Sequence, residues 1–195
     1  MTAAAPAHDH PGARPLHIVV IPGTNRAGSL SLRLAQLVAG DYRRLGCGVD
    51  LLELQLTPEF LAPTAYKQPA PAVSALVGRF LAADGVVFIV PEYNGSYPGV
   101  LKLFIDMLPY PQGFDQRPCA FIGLASGQFQ GLRAVEHLQG VAGYRNAHCY
   151  PGRVFIGGSH QQFDAAGALS SAELATRLVQ QAAGFHHYIG QLARR

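Results

Sequence analysis

The stretch VVFIVPEYNGSYPGVLK, residues 86–102, decides the fold. Residues 86–90 are all apolar and the run stops at Pro91. An apolar run without polar interruption reads as a strand buried on both faces, the condition of a parallel sheet covered by helices. Glu92, Tyr93, Asn94, Gly95 and Ser96 follow as a polar, sharply shaped segment. Pro98 then opens a helix expected over residues 98–108, since its missing N–H does no harm in a first helical turn. Strand, shaped polar loop and helix in that order make one unit of an α/β domain.

The same alternation extends both ways along the chain. Residues 16–21 read as a first strand, and Leu34, Leu37, Val38, Tyr42 and Leu45 follow at helical spacing. Residues 49–54 supply a second strand. Beyond a Pro-rich connection, Val73, Leu76, Val77, Phe80 and Leu81 mark another helix. Downstream come a strand at 119–124, a helix at 132–141 and a fifth strand within 148–156, interrupted or bounded by Pro151-Gly152. Leu174, Leu178, Ala182, Phe185, Ile189 and Leu192 stripe a final helix. Parallel strands joined by helical crossovers satisfy this pattern. The expected architecture is a flavodoxin-like three-layer α/β sandwich, its five-stranded parallel sheet ordered 2-1-3-4-5. Residues 16–195 form one domain in this reading. Residues 1–15, rich in Ala, Pro and Gly and carrying His8 and His10, read as a disordered tail.

Composition narrows the function classes. A chain of 195 residues builds one full core. Hydrophobic residues are 49% and charged residues 14%, so part of the surface is expected to be covered by another subunit. The net charge of +3 comes without Lys/Arg runs, which argues against a nucleic-acid groove and fits small anionic ligands better. Cys47, Cys119 and Cys149 stand apart with no CxxC spacing, as free thiols of a reducing cytosol do. No apolar run approaches membrane-span length and residues 1–15 lack a signal-peptide pattern, so a cytoplasmic protein without a membrane partner is expected.

A sheet of this order binds ligands beyond the carboxyl ends of its strands, which singles out the loops after strands one, three and four. The first, PGTNRAGSLSLRLA (residues 22–35), is neither GxGxxG nor GxxxxGK[ST]. It offers Thr24, Ser29, Ser31, Asn25 and Arg26, has no acid, and leads into a helix N-terminus. That set suits a phosphate monoester. The same residues also read as an ordinary helix cap, with Arg26 in solvent. In the second loop Glu92 and Asn94 offer donors and acceptors, Tyr93 and Tyr97 flat faces, and Gly95 close backbone approach. Together these suit a planar heteroaromatic ring. Glu92 also reads as a general base, though no His or hydroxyl nucleophile pairs with it in sequence, or as an exposed turn residue, and the tyrosines as packing. In the third, ASGQFQGLRAVEHL (residues 125–138), Ser126, Gly127 and Gly131 bend tightly while Gln128, Phe129 and Gln130 add bulk. A plain strand-to-helix connection reads it as well.

Together PEYNGSYPGVLK, GTNRAGSLSLRLA and GLRAVEHLQGV resemble the NADPH-dependent FMN reductase family of flavodoxin-like proteins, which includes quinone, chromate and azo-dye reductases. The similarity runs from about Leu16 to the C-terminus. It implies FMN as cofactor, its phosphate at Thr24, Arg26, Ser29 and Ser31 with Leu30 alongside. It places the isoalloxazine at Pro91, Glu92, Tyr93 and Asn94, supported by Gly95, with Ser126 and Gly127 approaching the ring. It also implies NADPH or NADH as hydride donor, a small acceptor (free flavin, quinone, azo dye or metal oxyanion), and a homodimer or homotetramer. The chain departs from the family pattern at Ser31, where Asn is common, at Thr24 for Ser, at Met107 for Trp, and in a third loop poorer in glycine.

No catalytic side chain is expected, because the flavin carries the chemistry. Two other readings compete. One is a flavodoxin-type electron carrier, though such carriers are usually strongly acidic and this chain is net positive. The other is a flavin-free scaffold relative, which the bulky third loop leaves open. Lys102 and Arg133 read as contacts to an NADPH phosphate or as exposed helix positions. His137, His160, His186 and His187 show no metal-ligand pattern.

Overall fold

The computed structural model describes residues 14–192. The expected tail lies outside the described residues up to position 13, and so do His8 and His10. The strands are β1 (His17–Pro22), β2 (Gly48–Leu51), β3 (Gly85–Pro91), β4 (Pro118–Leu124), β5 (His148–Cys149) and β6 (Val154–Ile156). The helices are α1 (Leu30–Arg44), α2 (Pro71–Leu81), α3 (Gly99–Asp106), α4 (Leu132–Tyr144) and α5 (Ala172–Leu192). Short 3-10 turns occupy Pro58–Leu61 and Ser159–Gln161. The sheet is parallel with order β2-β1-β3-β4-β5, and β6 also pairs with β4.

The alternation of side chains along β1 builds two cores from one strand. Ile18 and Val20 face one layer with Leu34, Val38 and Tyr42 of α1 and Leu178 and Phe185 of α5. Val19 and Ile21 face the other with Phe80 of α2, Phe104 of α3 and Leu138 of α4. Every residue of β3 is buried, as expected of a strand covered on both sides. Phe88 of β3 lies opposite Phe121 of β4 in the register, and their rings stack with centroids 5.6 Å apart. Such a cross-strand pair adds attraction beyond the area it buries.

Two details differ from the sequence expectation. Pro98 sits at the N-cap of α3 rather than inside its first turn. The second strand ends at Leu51, although Leu52 and Leu54 remain fully buried. The fifth strand is split in two around Pro151-Gly152, the interruption the sequence pointed to, because proline has no N–H to give the ladder. Gln181 of α5 fills that break. Its buried Nε2 donates to Phe121 O of β4 at 3.0 Å and to Gly152 O at 2.9 Å, answering carbonyls that a strand partner would otherwise take. Cys119 and Cys149, read as standing apart, lie opposite one another across β4 and β5 and remain free thiols. Among the described residues no helix is long and apolar enough to cross a membrane.

Candidate functional site

The register fixes where the three loops leave the sheet. Pro22 of β1 pairs with Ile89 of β3, and Pro91 of β3 with Leu124 of β4, so the chain exits at neighbouring points of one edge. Gly23 N–H donates to Ile89 O at 2.8 Å, and a Cβ on Gly23 would come within 2.9 Å of that oxygen. The first loop therefore starts flush against β3. Glu92 N–H donates to Leu124 O at 3.1 Å, which ties the second loop to the root of the third.

In the first loop Thr24 is buried. Its Oγ1 accepts from Arg26 N–H at 3.3 Å and lies 3.2 Å from the Tyr93 hydroxyl. Arg26 Nη1 donates to that hydroxyl at 3.4 Å. Ser29 caps α1, its Oγ accepting from Leu32 N–H at 3.1 Å. The buried Ser31 donates its hydroxyl to Ser29 Oγ at 3.2 Å, and Leu30, half-buried, is the first residue of α1. Ser29 thus accepts two hydrogen bonds, which leaves its own proton to point outward. No acid lies in the first turn of α1. A hollow of only ≈ 10 Å³ lies beneath the loop, with Glu53 in its wall. Nothing larger than a water fits there, so an anion would have to meet this loop from the solvent side, where Arg26 is exposed and α1 begins. The residues present fit a phosphate monoester. The cap reading also holds for Ser29, and the two are compatible.

The second loop is a tight hairpin. Tyr93 N–H donates to Ser96 O at 2.7 Å and Ser96 N–H to Tyr93 O at 3.0 Å. Asn94 and Gly95 between them have φ of 51° and 76°. That is the two-residue turn for which Asn-Gly is the favoured pair, because both central residues must adopt left-handed backbone. Ser96 Oγ lies 3.0 Å from His137 Nδ1, which anchors the hairpin to α4. Tyr93, read as a flat face, uses its hydroxyl to join the first two loops. Glu92 Oε2 is buried with no hydrogen-bond partner among the described residues.

The third loop folds back on the end of β4. Gly131 has φ of 83°, and a Cβ there would lie 2.6 Å from Leu124 N, so no other residue fits. Ser126 and Gly127 are exposed beside it. Phe129 keeps 49% of its surface exposed, with the Arg133 guanidinium 4.3 Å from its ring centre. Of the two cations considered for a nucleotide phosphate, Lys102 is held by Asp106 at 2.7 Å and Arg133 stacks on Phe129. Ser126 and Gly127 also line a cleft of ≈ 470 Å³ together with Gly157, Gly158, Gln162 and Arg177. Those four escaped the sequence reading, because they come from the β6 exit and α5 and share no motif. His137 was missed as a hairpin anchor for the same reason: nothing in its local sequence marks Ser96 as its partner.

Comparison with known proteins adds to this geometry. The family model for NADPH-dependent FMN reductase matches residues 16–161. An NAD(P)H-dependent FMN reductase of Pseudomonas aeruginosa is 31% identical over 169 residues, covering 85% of this chain and 90% of that protein. A quinone reductase of Escherichia coli K12 is 29% identical over 149 residues, 73% of this chain and 78% of that one. Among solved structures, the flavoenzyme NAD(P)H:(acceptor) oxidoreductase FerB of Paracoccus denitrificans superposes with a TM-score of 0.78 at 24% identity, over 90% of this chain and 98% of that one. That last likeness concerns the fold alone.

Proposed function

The chain belongs to the NADPH-dependent FMN reductase family, and from that premise we propose that it passes two electrons from NAD(P)H through bound FMN to a small acceptor of the quinone or azo-dye class. It is an oxidoreductase with FMN and NAD(P)H as its cofactors. Relatives named as quinone reductases and as an NADPH azoreductase support the acceptor class. When bound, FMN supplies the electron-transfer chemistry. The rest is positioning by the protein.

The observation that carries this reading is the cluster at the start of α1, a helix with no acid in its first turn. Ser29 has a spare proton, Arg26 has guanidinium N–H groups left over, and the helix dipole points the same way. Thr24, Arg26, Ser29 and Ser31 would hold the FMN phosphate, with Leu30 alongside. Pro91, Glu92, Tyr93, Asn94 and Gly95 would hold the ring, with Ser126 and Gly127 at its edge. The rigid Tyr93–Ser96 turn keeps the hairpin backbone fixed, so ring binding requires little ordering of the loop. Exposed Leu61, Tyr66, Tyr110 and Tyr144 support coverage of apolar surface in a homo-oligomer.

Purified protein titrated with FMN, then mixed with NADPH or NADH without oxygen, tests the proposal by absorbance. The flavin bands should bleach with at least one donor and recover when a quinone is added. Persistent yellow colour with both donors would contradict it.

A further inference from the structure

The cleft between the third loop, the exit of β6 and the start of α5 has no role in the site described above. Its ≈ 470 Å³ lies within the range of small-molecule sites. Ser126 and Gly127, which would meet the flavin edge, form one of its walls, so the two sites share a boundary. Arg177 and Glu173 stand one turn apart on α5 inside it, at the spacing where helical ion pairs form. Yet Arg177 makes no ion pair with any described residue, Glu173 included. Its forked guanidinium is left for an anion that takes two parallel hydrogen bonds, as a phosphate does.

The rest of the lining suits a nucleoside. Among the described residues, the backbone N–H groups of Gly157 and Gly158 meet no backbone carbonyl. Gln162 Nε2 donates to Gly157 O at 3.0 Å, which fixes that amide and leaves its Oε1 as acceptor for an exocyclic amine. Gln128 offers a second, exposed amide, and the Glu173 carboxylate accepts from a ribose hydroxyl. We propose that this cleft takes the 2′-phosphoadenosine end of the NADPH donor, with Arg177 on the 2′-phosphate. The inference rests on the function proposed above, since a donor whose nicotinamide reaches the flavin across Gly127 lays its other end here.

Calorimetric titration of the FMN-loaded protein with adenosine 2′,5′-bisphosphate, 5′-AMP and inorganic phosphate tests this by binding alone. The bisphosphate should bind at least roughly tenfold tighter than 5′-AMP, the worth of one charge-assisted contact. Arg177→Gln should remove that preference and Arg177→Lys restore part of it. Arg177 is exposed on α5, so Arg177→Gln should keep the wild-type Tm and FMN affinity, and in turnover raise KM for NADPH but not for NADH. Equal affinity for bisphosphate and 5′-AMP, binding of inorganic phosphate alone, or an unchanged preference in Arg177→Gln would overturn it. Failure of the proposed function looks different: neither donor bleaches the flavin, whatever the titration gives.

Discussion

Where the strands begin, Asp84 and Arg117 are answered by protein; where they end, Glu92, Arg26 and Ser29 keep groups unanswered. At the N-terminal edge Asp84, just before β3, accepts from Arg14 at 2.6 and 2.8 Å and from His17 N–H at 2.7 Å. Arg117, just before β4, donates to Gly113 O at 2.8 Å and to Ala83 O at 2.5 Å and covers the Phe80 ring. At the C-terminal edge Glu92 Oε2 has no donor among the described residues, Arg26 has only a long bond to a phenol, and Ser29 has a proton to spare. Both edges are made by the same strands and the same cores. The first uses its polar groups to close the fold; the second leaves groups without protein partners, which the proposed flavin site would use. Substitutions should therefore divide cleanly, moving stability at one edge and binding at the other.

The largest effect is expected at the closed edge. Arg117→Ala leaves Ala83 O and Gly113 O without donors and uncovers Phe80, so it should destabilise the protein by about 3 kcal/mol in a denaturant titration while FMN affinity of the folded fraction holds. Next is Arg26→Ala at the open edge, where loss of a charge-assisted phosphate contact should weaken FMN binding by roughly 10- to 100-fold. Its Tm should stay near wild type, because Arg26 is exposed. Smaller again is Glu92→Leu, which removes a buried carboxylate oxygen that has no donor. It should stabilise the FMN-free protein by about 1 kcal/mol and lower FMN affinity, a trade that no closed-edge residue should show.

The smallest concerns Asp50 on β2. The bond from Arg79 holds its carboxyl below the usual carboxylate range, against a smaller opposing push from burial. A lowered folded value means the pair's contribution is fully present above the unfolded value of about 3.9 and is lost as pH falls through the folded one. Asp50→Asn should thus lose under about 1 kcal/mol at neutral pH and nothing in strong acid. A loss that persisted in strong acid would show that the ion pair is not its cause.

Much of this was legible in the sequence because the core is written locally. The apolar run of β3 and the stripes of α1 and α5 need only their own neighbours to be read. In the first two loops the candidate groups could be named from sequence, since Thr24, Arg26 and Ser29 are close along the chain, and Asn94-Gly95 is a turn signal in itself. What escaped reading depends on distant partners. The break in the fifth strand is bridged by Gln181, a polar residue whose acceptors lie 60 and 29 positions away. The Tyr93 hydroxyl reaches across 69 positions to Thr24. The second cleft draws on three separate segments, none with a motif. Side-chain periodicity reports what faces a core, and it is silent about polar groups that meet across a sheet edge.

The proposed seat of the FMN phosphate is the cluster of Thr24, Arg26, Ser29 and Ser31. Fluorescence titration of flavin-free protein with FMN and with riboflavin, which lacks only that phosphate, tests it most directly. FMN should bind at least roughly 100-fold tighter, the worth of two charge-assisted contacts, and Arg26→Ala should narrow the gap. Equal affinity for the two flavins would contradict it.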